Sequence, residues 1–163
     1  MAGCTDNPEQ PPVETPPEKS NIIFDLNTFY RERLAWEAQG IGDYSFEAME
    51  AYGVMPLFLH GLVTVAENFV TSYTIFNEKY KVSYIEYIFP RTISELYDWL
   101  FATYEEYSAY VPHDDSYWSF EINYNKQYHY PESAELISAT RSEELFVGGM
   151  IFKIYLPNFD IVE

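Results

Sequence analysis

Apolar side chains recur with two different periods along the chain, and these periods predict its helices and strands. Between about residue 25 and Gln39 the spacing is three to four residues, which predicts a helix. Gly40 should end it, because glycine readily adopts the left-handed conformation that follows a last helical turn. Thr92 and Glu95 form a capping-box pattern at the start of a second helix, which should end near Tyr110.

Strict alternation of apolar and polar residues predicts the strands between and after these helices. We expect strands at 43–51, 57–66, 69–76, 117–124, 132–139 and 145–156. The segment 80–89 fits either another strand or an extended connection. The dipeptide Glu67-Asn68 predicts a tight turn and therefore antiparallel pairing of the strands on either side. Together these elements favour the α+β class, with two helices on one face of an antiparallel sheet.

Two short segments of the sequence resemble each other. Tyr44-Ser45-Phe46-Glu47 and Trp118-Ser119-Phe120-Glu121 each follow a helix and each open a run of strands. This order is compatible with two α-β-β-β repeats in a cystatin-like or BLIP-like arrangement. The alternative is a chance match in a chain that is rich in aromatic residues.

The composition indicates a folded domain, since apolar residues make up 47% of the chain. Aromatic residues reach 19%, with 16 Tyr and 12 Phe. Tyrosine combines an apolar body with a polar tip, so this excess fits a sheet with one solvated face. A stacking or sugar-binding surface is the alternative.

The net charge of −17 limits the classes of partner. It argues against nucleic acids and against direct contact with anionic lipids, because both require cationic side chains. It permits cationic partners or divalent ions, and it also keeps a protein soluble. We expect a monomer.

The first twenty residues predict an anchored tether rather than part of the domain. Residues 1–20 are rich in proline and glutamate, which predicts a disordered linker, and the single domain should span 21–163. Ala2-Gly3-Cys4 resembles the end of a bacterial lipobox, in which the cysteine is lipidated. We expect Cys4 to carry the lipid and a signal segment to have been removed ahead of Met1. The membrane contact would then be the lipid alone, at the extracytoplasmic side of the bacterial envelope.

The residues that could carry chemistry form two candidate sets. His113, Asp114, Asp115 and His129 offer imidazole and carboxylate ligands for a metal ion, and a solvated loop is the alternative. Tyr117, Trp118, Tyr128 and Tyr130 could form an aromatic ligand-binding surface, and packing in the core or sheet is the alternative. His60 is expected to be a hydrogen-bonded strand histidine. Because the sequence contains no recognisable catalytic or phosphate-binding motif, we predict no catalytic residues, no cofactor and no enzymatic activity.

Several motifs, in order, resemble an uncharacterised domain family of bacterial secreted proteins and lipoproteins. The family opens with Trp-x-x-x-Gly-Ile-x-Asp-Tyr-x-Phe, has a later helix beginning Thr-Ile-x-Glu-Leu and a late Tyr-Asn or Tyr-Asp strand that ends Tyr-Pro. The matching residues here are Trp36, Gly40, Ile41, Asp43, Tyr44 and Phe46, then Thr92, Ile93, Glu95 and Leu96, then Tyr124, Asn125, Tyr130 and Pro131. Many members carry a cysteine pair after the first strand, which this chain lacks. The family has no established activity, so the resemblance implies architecture and location only.

These observations predict a non-enzymatic lipoprotein domain that binds another protein or an envelope component through its sheet. A domain that binds cations or small ligands through its acidic surface is the first alternative. A hydrolase without a recognisable motif is the second.

Overall fold

A computed structural model describes residues 21–53, 57–76, 87–110, 116–140 and 149–162, and all structural statements concern these residues. They form a mixed α+β fold with an open sheet. The helices are α1 (Leu26–Gln39) and α2 (Ile93–Ala109). The strands are β1 (Ile22–Ile23), β2 (Tyr44–Tyr52), β3 (Leu57–Ala66), β4 (Phe69–Ile75), β5 (Ser116–Tyr124), β6 (Pro131–Thr140), β7 (Gly149–Tyr155) and β8 (Asp160–Ile161).

The strands form one sheet in the order β1-β5-β6-β7-β2-β3-β4, and β8 also pairs with β2. All pairs are antiparallel except β1 with β5. One edge of β2 is shared by two strands from the end of the chain. Its Met49–Tyr52 part pairs with β7, while Tyr44 and Ser45 pair with β8.

The helix ends follow local signals in the sequence. Asp25 caps α1 by accepting a hydrogen bond from the Thr28 amide at 3.0 Å. Gly40 ends this helix with φ +63°, in the left-handed region that the sequence predicts. Helix α2 has the predicted capping box, in which the Thr92 and Glu95 side chains each accept the other's backbone N–H.

Both helices pack on the same face of the sheet. Tyr44 of β2 contacts both: its ring meets Trp36 of α1 edge-on, and its hydroxyl accepts the Ile93 amide of α2. The core therefore lies between this face and the helices, and aromatic contacts such as Phe29–Tyr97 connect the two helices across it. The α+β prediction with two helices on one face of a largely antiparallel sheet is confirmed.

The buried face of β2 also carries a carboxylate. Glu50 is only 1% exposed and accepts the Phe89 amide at 2.6 Å, the Ile88 amide at 3.1 Å and the Tyr52 hydroxyl at 2.6 Å. Burial raises the pKa of Glu50, although these hydrogen bonds oppose the shift. Glu50 thus ties the segment before α2 to the middle of the sheet, and Phe89 packs against Phe46 there.

The structure differs from the predicted elements in several places. Strands β1 and β8 have only two residues each and were not predicted. The predicted strand or connection at 80–89 lies outside the described residues except for 87–89, which are not a strand. The predicted last strand at 145–156 is described from Gly149, where β7 begins. The tether 1–20, with Cys4, also lies outside the described residues.

Candidate binding face of the sheet

The face of the sheet opposite the helices is the candidate functional site. Side chains alternate along a strand, so the residues of β2 that follow Tyr44 and Phe46 point away from the core. Glu47 and Met49 lie on this helix-free face, and the β2–β3 register places them opposite Leu62 and His60, respectively. On the other side of β3, the turn at Glu67 and Asn68 joins it to β4, and both residues have positive φ, as a two-residue hairpin requires.

Glu47 is the centre of a hydrogen-bonded cluster on this face. Its Oε2 lies 2.7 Å from His60 Nε2 on the neighbouring strand, and its Oε1 accepts Asn158 Nδ2 at 3.1 Å. The Glu47 amide donates to the Pro157 carbonyl at 3.1 Å, which holds the segment carrying Asn158 beside β2. Three parts of the chain that are far apart in sequence therefore meet at one carboxylate.

The hydrogen bond from His60, and then that from Asn158, lowers the pKa of Glu47. Glu47 is therefore ionised at neutral pH. Its side chain and that of His60 are each about one-third exposed (28% and 32%), so the pair is open to solvent on one side. A partner could reach both groups without any movement of the backbone.

Apolar side chains surround this polar cluster. Phe76 meets the His60 ring edge-on at 4.9 Å, and it is itself 52% exposed. On the other side of β2, a shallow depression of about 210 Å³ is lined on this face by Met49, Ala51, Lys153 and Tyr155. Tyr155 is 48% exposed. The result is a polar centre with exposed apolar flanks.

No family model, curated protein or solved structure significantly matches this chain. The geometry of these side chains is therefore the basis for any function. The family resemblance stays a prediction.

Of the four predicted metal ligands, only His129 lies in the described part of the chain. His129 Nδ1 lies 2.7 Å from Glu32 Oε2, and Arg31 contacts the other oxygen of this carboxylate at 2.8 Å. Although partial burial opposes the change, hydrogen bonds from Arg31 and His129 lower the pKa of Glu32. No group of three or more potential metal ligands occurs among the described residues. His113, Asp114 and Asp115 lie outside them.

The structure places the four residues of the predicted aromatic surface in three different locations. Tyr128 and Tyr130 both pack against Phe159, and Tyr130 is buried. Trp118 instead contacts Tyr107 and Tyr110 at the end of α2, near the start of β5. Tyr117 precedes Trp118 in the strand, so its side chain lies on the opposite face of the sheet. For Tyr130 the structure agrees with the alternative of core packing.

Most residues of the helix-free face carry no functional signal in the sequence. His60 was predicted to be hydrogen-bonded, which its contact with Glu47 confirms. The alternation of apolar and polar residues in the first long strand places Glu47 on a polar face. Its hydrogen-bond partner Asn158 lies after the last predicted strand, where no periodic pattern indicates its position. Phe159, which organises Tyr128 and Tyr130, was missed for the same reason.

The side chains of this face offer charge, hydrogen-bonding groups and apolar surface to a partner. None of the described helices is sufficiently long and apolar to pass through a membrane.

Proposed function

We propose that the chain is a non-enzymatic lipoprotein domain of the bacterial envelope that binds another protein or an envelope component through its helix-free face. The observation that carries this proposal is the exposed cluster of Glu47, His60 and Asn158 with Phe76 and Tyr155 on its flanks. A hydrogen-bonding centre with aromatic side chains around it is the composition that protein interfaces favour. Both described helices pack on the other face, so neither of them covers this one.

The arrangement of the strands supports the proposed internal repeat. Strands β2–β3–β4 follow α1 and strands β5–β6–β7 follow α2, and the two triplets lie side by side in the sheet in the same order. The similar segments at Tyr44 and Trp118 stand at or near the start of the first strand of each triplet. We propose two α-β-β-β units whose helix-free faces form one continuous surface, as the cystatin-like or BLIP-like interpretation implies.

Site-specific photocrosslinking tests the binding face. A photoreactive phenylalanine analogue replaces Tyr155 on the helix-free face or, as the matched control, Tyr30, which is exposed on α1. We expect the analogue at 155, but not at 30, to give a discrete adduct in intact cells of the source organism. Glu47→Lys in the same chain should abolish the adduct, because it reverses the charge at the centre of the face. Adducts of equal yield from both positions, or none at 155, would contradict the proposal.

A separate experiment tests the anchor. Mass spectrometry of the protein isolated from native membranes should show a diacylglyceryl group on Cys4. A Cys4→Ser variant should lose both the lipid and its association with membranes. An unmodified Cys4 in a soluble fraction would rule out the lipoprotein assignment without affecting the binding face.

A further inference from the structure

The outer edge of β5 has a strand neighbour over only part of its length. Strand β1 pairs with β5 in parallel at Ile22–Trp118 and Ile23–Ser119, and the chain then leaves the sheet to begin α1. Strand β5 continues to Tyr124. Within the described residues, the edge of β5 from Phe120 to Tyr124 therefore has no strand beside it on this side.

Backbone groups of β5 point outward along this open part. The Trp118 amide donates to the Asn21 carbonyl at 2.8 Å, so the N–H and C=O of Trp118 face β1. Because backbone groups alternate in direction along a strand, those of Phe120 and Ile122 face the same side. In the parallel register the Phe120 amide donates a hydrogen bond to the Ile23 carbonyl. The Phe120 carbonyl and both backbone groups of Ile122 have no partner among the described residues.

A groove of about 330 Å³ lies along the same edge. Its walls include Phe24, Asp25 and Thr28 on one side and Phe120, Glu121 and Ile122 on the other. The Phe24 and Phe120 rings stack with centroids 4.8 Å apart and give the groove an apolar floor. Two acidic residues also line it: Asp25 at the N-cap of α1, and Glu121, whose side chain lies on the strand face opposite Phe120. The groove therefore combines unpaired backbone, apolar surface and negative charge.

We propose that this edge binds an extended segment of a cationic partner protein, with alternating apolar and basic residues, as an added strand beside β5. The unpaired groups of Phe120 and Ile122 would bond to the backbone of that segment. Apolar side chains of the segment would contact Phe24 and Phe120, while its basic side chains would face Asp25 and Glu121. This site lies at the edge of β5 rather than at the Glu47 cluster, and it does not depend on the function proposed for that cluster.

A second copy of the chain is a poor occupant of the same edge. Two β5 edges in contact would bring two copies of Asp25 and Glu121 together. Each copy also carries a net charge of −17, so the copies repel each other as they approach. Charge complementarity therefore favours a basic segment over self-association.

Amide hydrogen exchange of the full 163-residue chain tests the proposal at a single position. In the free protein the Ile122 amide should exchange quickly, while those of Glu121 and Asn123, which face β6, should be slow. The probe is the capped peptide Lys-Val-Lys-Ile-Lys-Val. At saturation it should slow exchange at Ile122 about tenfold or more and leave Glu121 and Asn123 unchanged.

Matched probes and variants separate backbone pairing from charge attraction. A peptide with the same side chains but alternate N-methylated amides should not protect Ile122. Asp25→Asn and Glu121→Gln each remove one negative charge, and each should weaken binding of the first peptide about two- to fivefold. Asparagine at position 25 can still cap α1, so the helix should stay intact. Glu105→Gln, on the exposed side of α2, should have no effect.

Three results would overturn the proposal. Slow exchange at Ile122 in the free monomer would show that the edge is already covered. Equal binding of the N-methylated peptide would show attraction by charge alone. Protection of Ile122 that rises with protein concentration, together with dimers in sedimentation, would assign the edge to a second copy of the chain.

Discussion

Removing the Glu50 carboxylate should strongly destabilise the fold, because three donors converge on it in the core. In Glu50→Ala the Phe89 amide loses its acceptor, and the Tyr52 hydroxyl loses the oxygen to which it donates. The Ile88 amide is less affected, because it also donates to the Tyr52 hydroxyl at 3.0 Å. Two polar hydrogens are thus left without partners in or near the core.

The expected magnitude follows from these two losses. An unsatisfied buried donor costs about 1–3 kcal/mol, so Glu50→Ala should lower the free energy of unfolding by about 2–6 kcal/mol. This is a large part of the roughly 5–15 kcal/mol that stabilises an ordinary domain. Glu50→Gln retains an acceptor for the Phe89 amide, and its new amide can donate to Tyr52. We expect it to cost about 1–2 kcal/mol, because the amide offers one acceptor oxygen where the carboxylate offers two.

Urea unfolding followed by tryptophan fluorescence measures both effects. With a slope of about 2 kcal/mol per molar urea, Glu50→Ala should lower the midpoint by about 1–3 M and Glu50→Gln by less than about 1 M. If the free energy of unfolding of Glu50→Ala is within about 0.5 kcal/mol of that of the unsubstituted chain, the carboxylate does not hold the segment before α2 in place. Equal losses in the two variants would show that hydrogen bonding to Glu50 is not the cause.

Three further predictions concern other parts of the molecule. In Gly61→Ala the new Cβ would lie 2.7 Å from the Tyr73 ring and 2.8 Å from the Thr74 carbonyl, so unfolding in urea should show a loss of about 1–3 kcal/mol. Gly149→Ala, with no atom within 4 Å of the new Cβ, is the matched control and should be nearly neutral. Thr92→Ala should cost about 1 kcal/mol in the same assay through loss of the cap of α2, and an unchanged midpoint would exclude that role. Because its pKa is lowered in the folded state, Glu47 stabilises the fold above its unfolded pKa of about 4.5, and this contribution disappears as the pH falls through the folded value. Glu47→Gln should therefore be less stable than the unsubstituted chain at pH 7 and close to it at pH 3, whereas a pH-independent difference would contradict the assignment.

The sequence predicted those features that short segments determine by themselves. Gly40 and the Thr92–Glu95 box are complete signals within one helical turn, and both helices end or begin there. The turn at Glu67-Asn68 likewise determines the pairing of β3 with β4. Strands β1 and β8 could not be predicted, since two residues show no period.

Contacts between segments far apart in the sequence cannot be predicted from local periodicity. Alternation determines the face on which a side chain lies but not the neighbour of its strand, so the pairing of β2 with β7 was not predictable. The alternation that places Tyr44 and Phe46 on the buried face also places Glu50 there, so the sequence does contain a signal for this buried carboxylate. The Glu47–His60 contact depends on the register between β2 and β3, and the contact with Asn158 depends on a segment without any periodic pattern.

The shared edge of β2 has a consequence for synthesis of the protein. Glu47 and its partner Asn158 are 111 positions apart, and the strands that cover this edge, β7 and β8, also come from the end of the chain. At about 5–20 residues per second, a ribosome needs roughly 5–20 s to make the intervening chain. During that time β2 has an uncovered edge, next to the aromatic side chains that will form the core. The growing chain is therefore most exposed to aggregation, and most dependent on chaperones, before its last strands emerge.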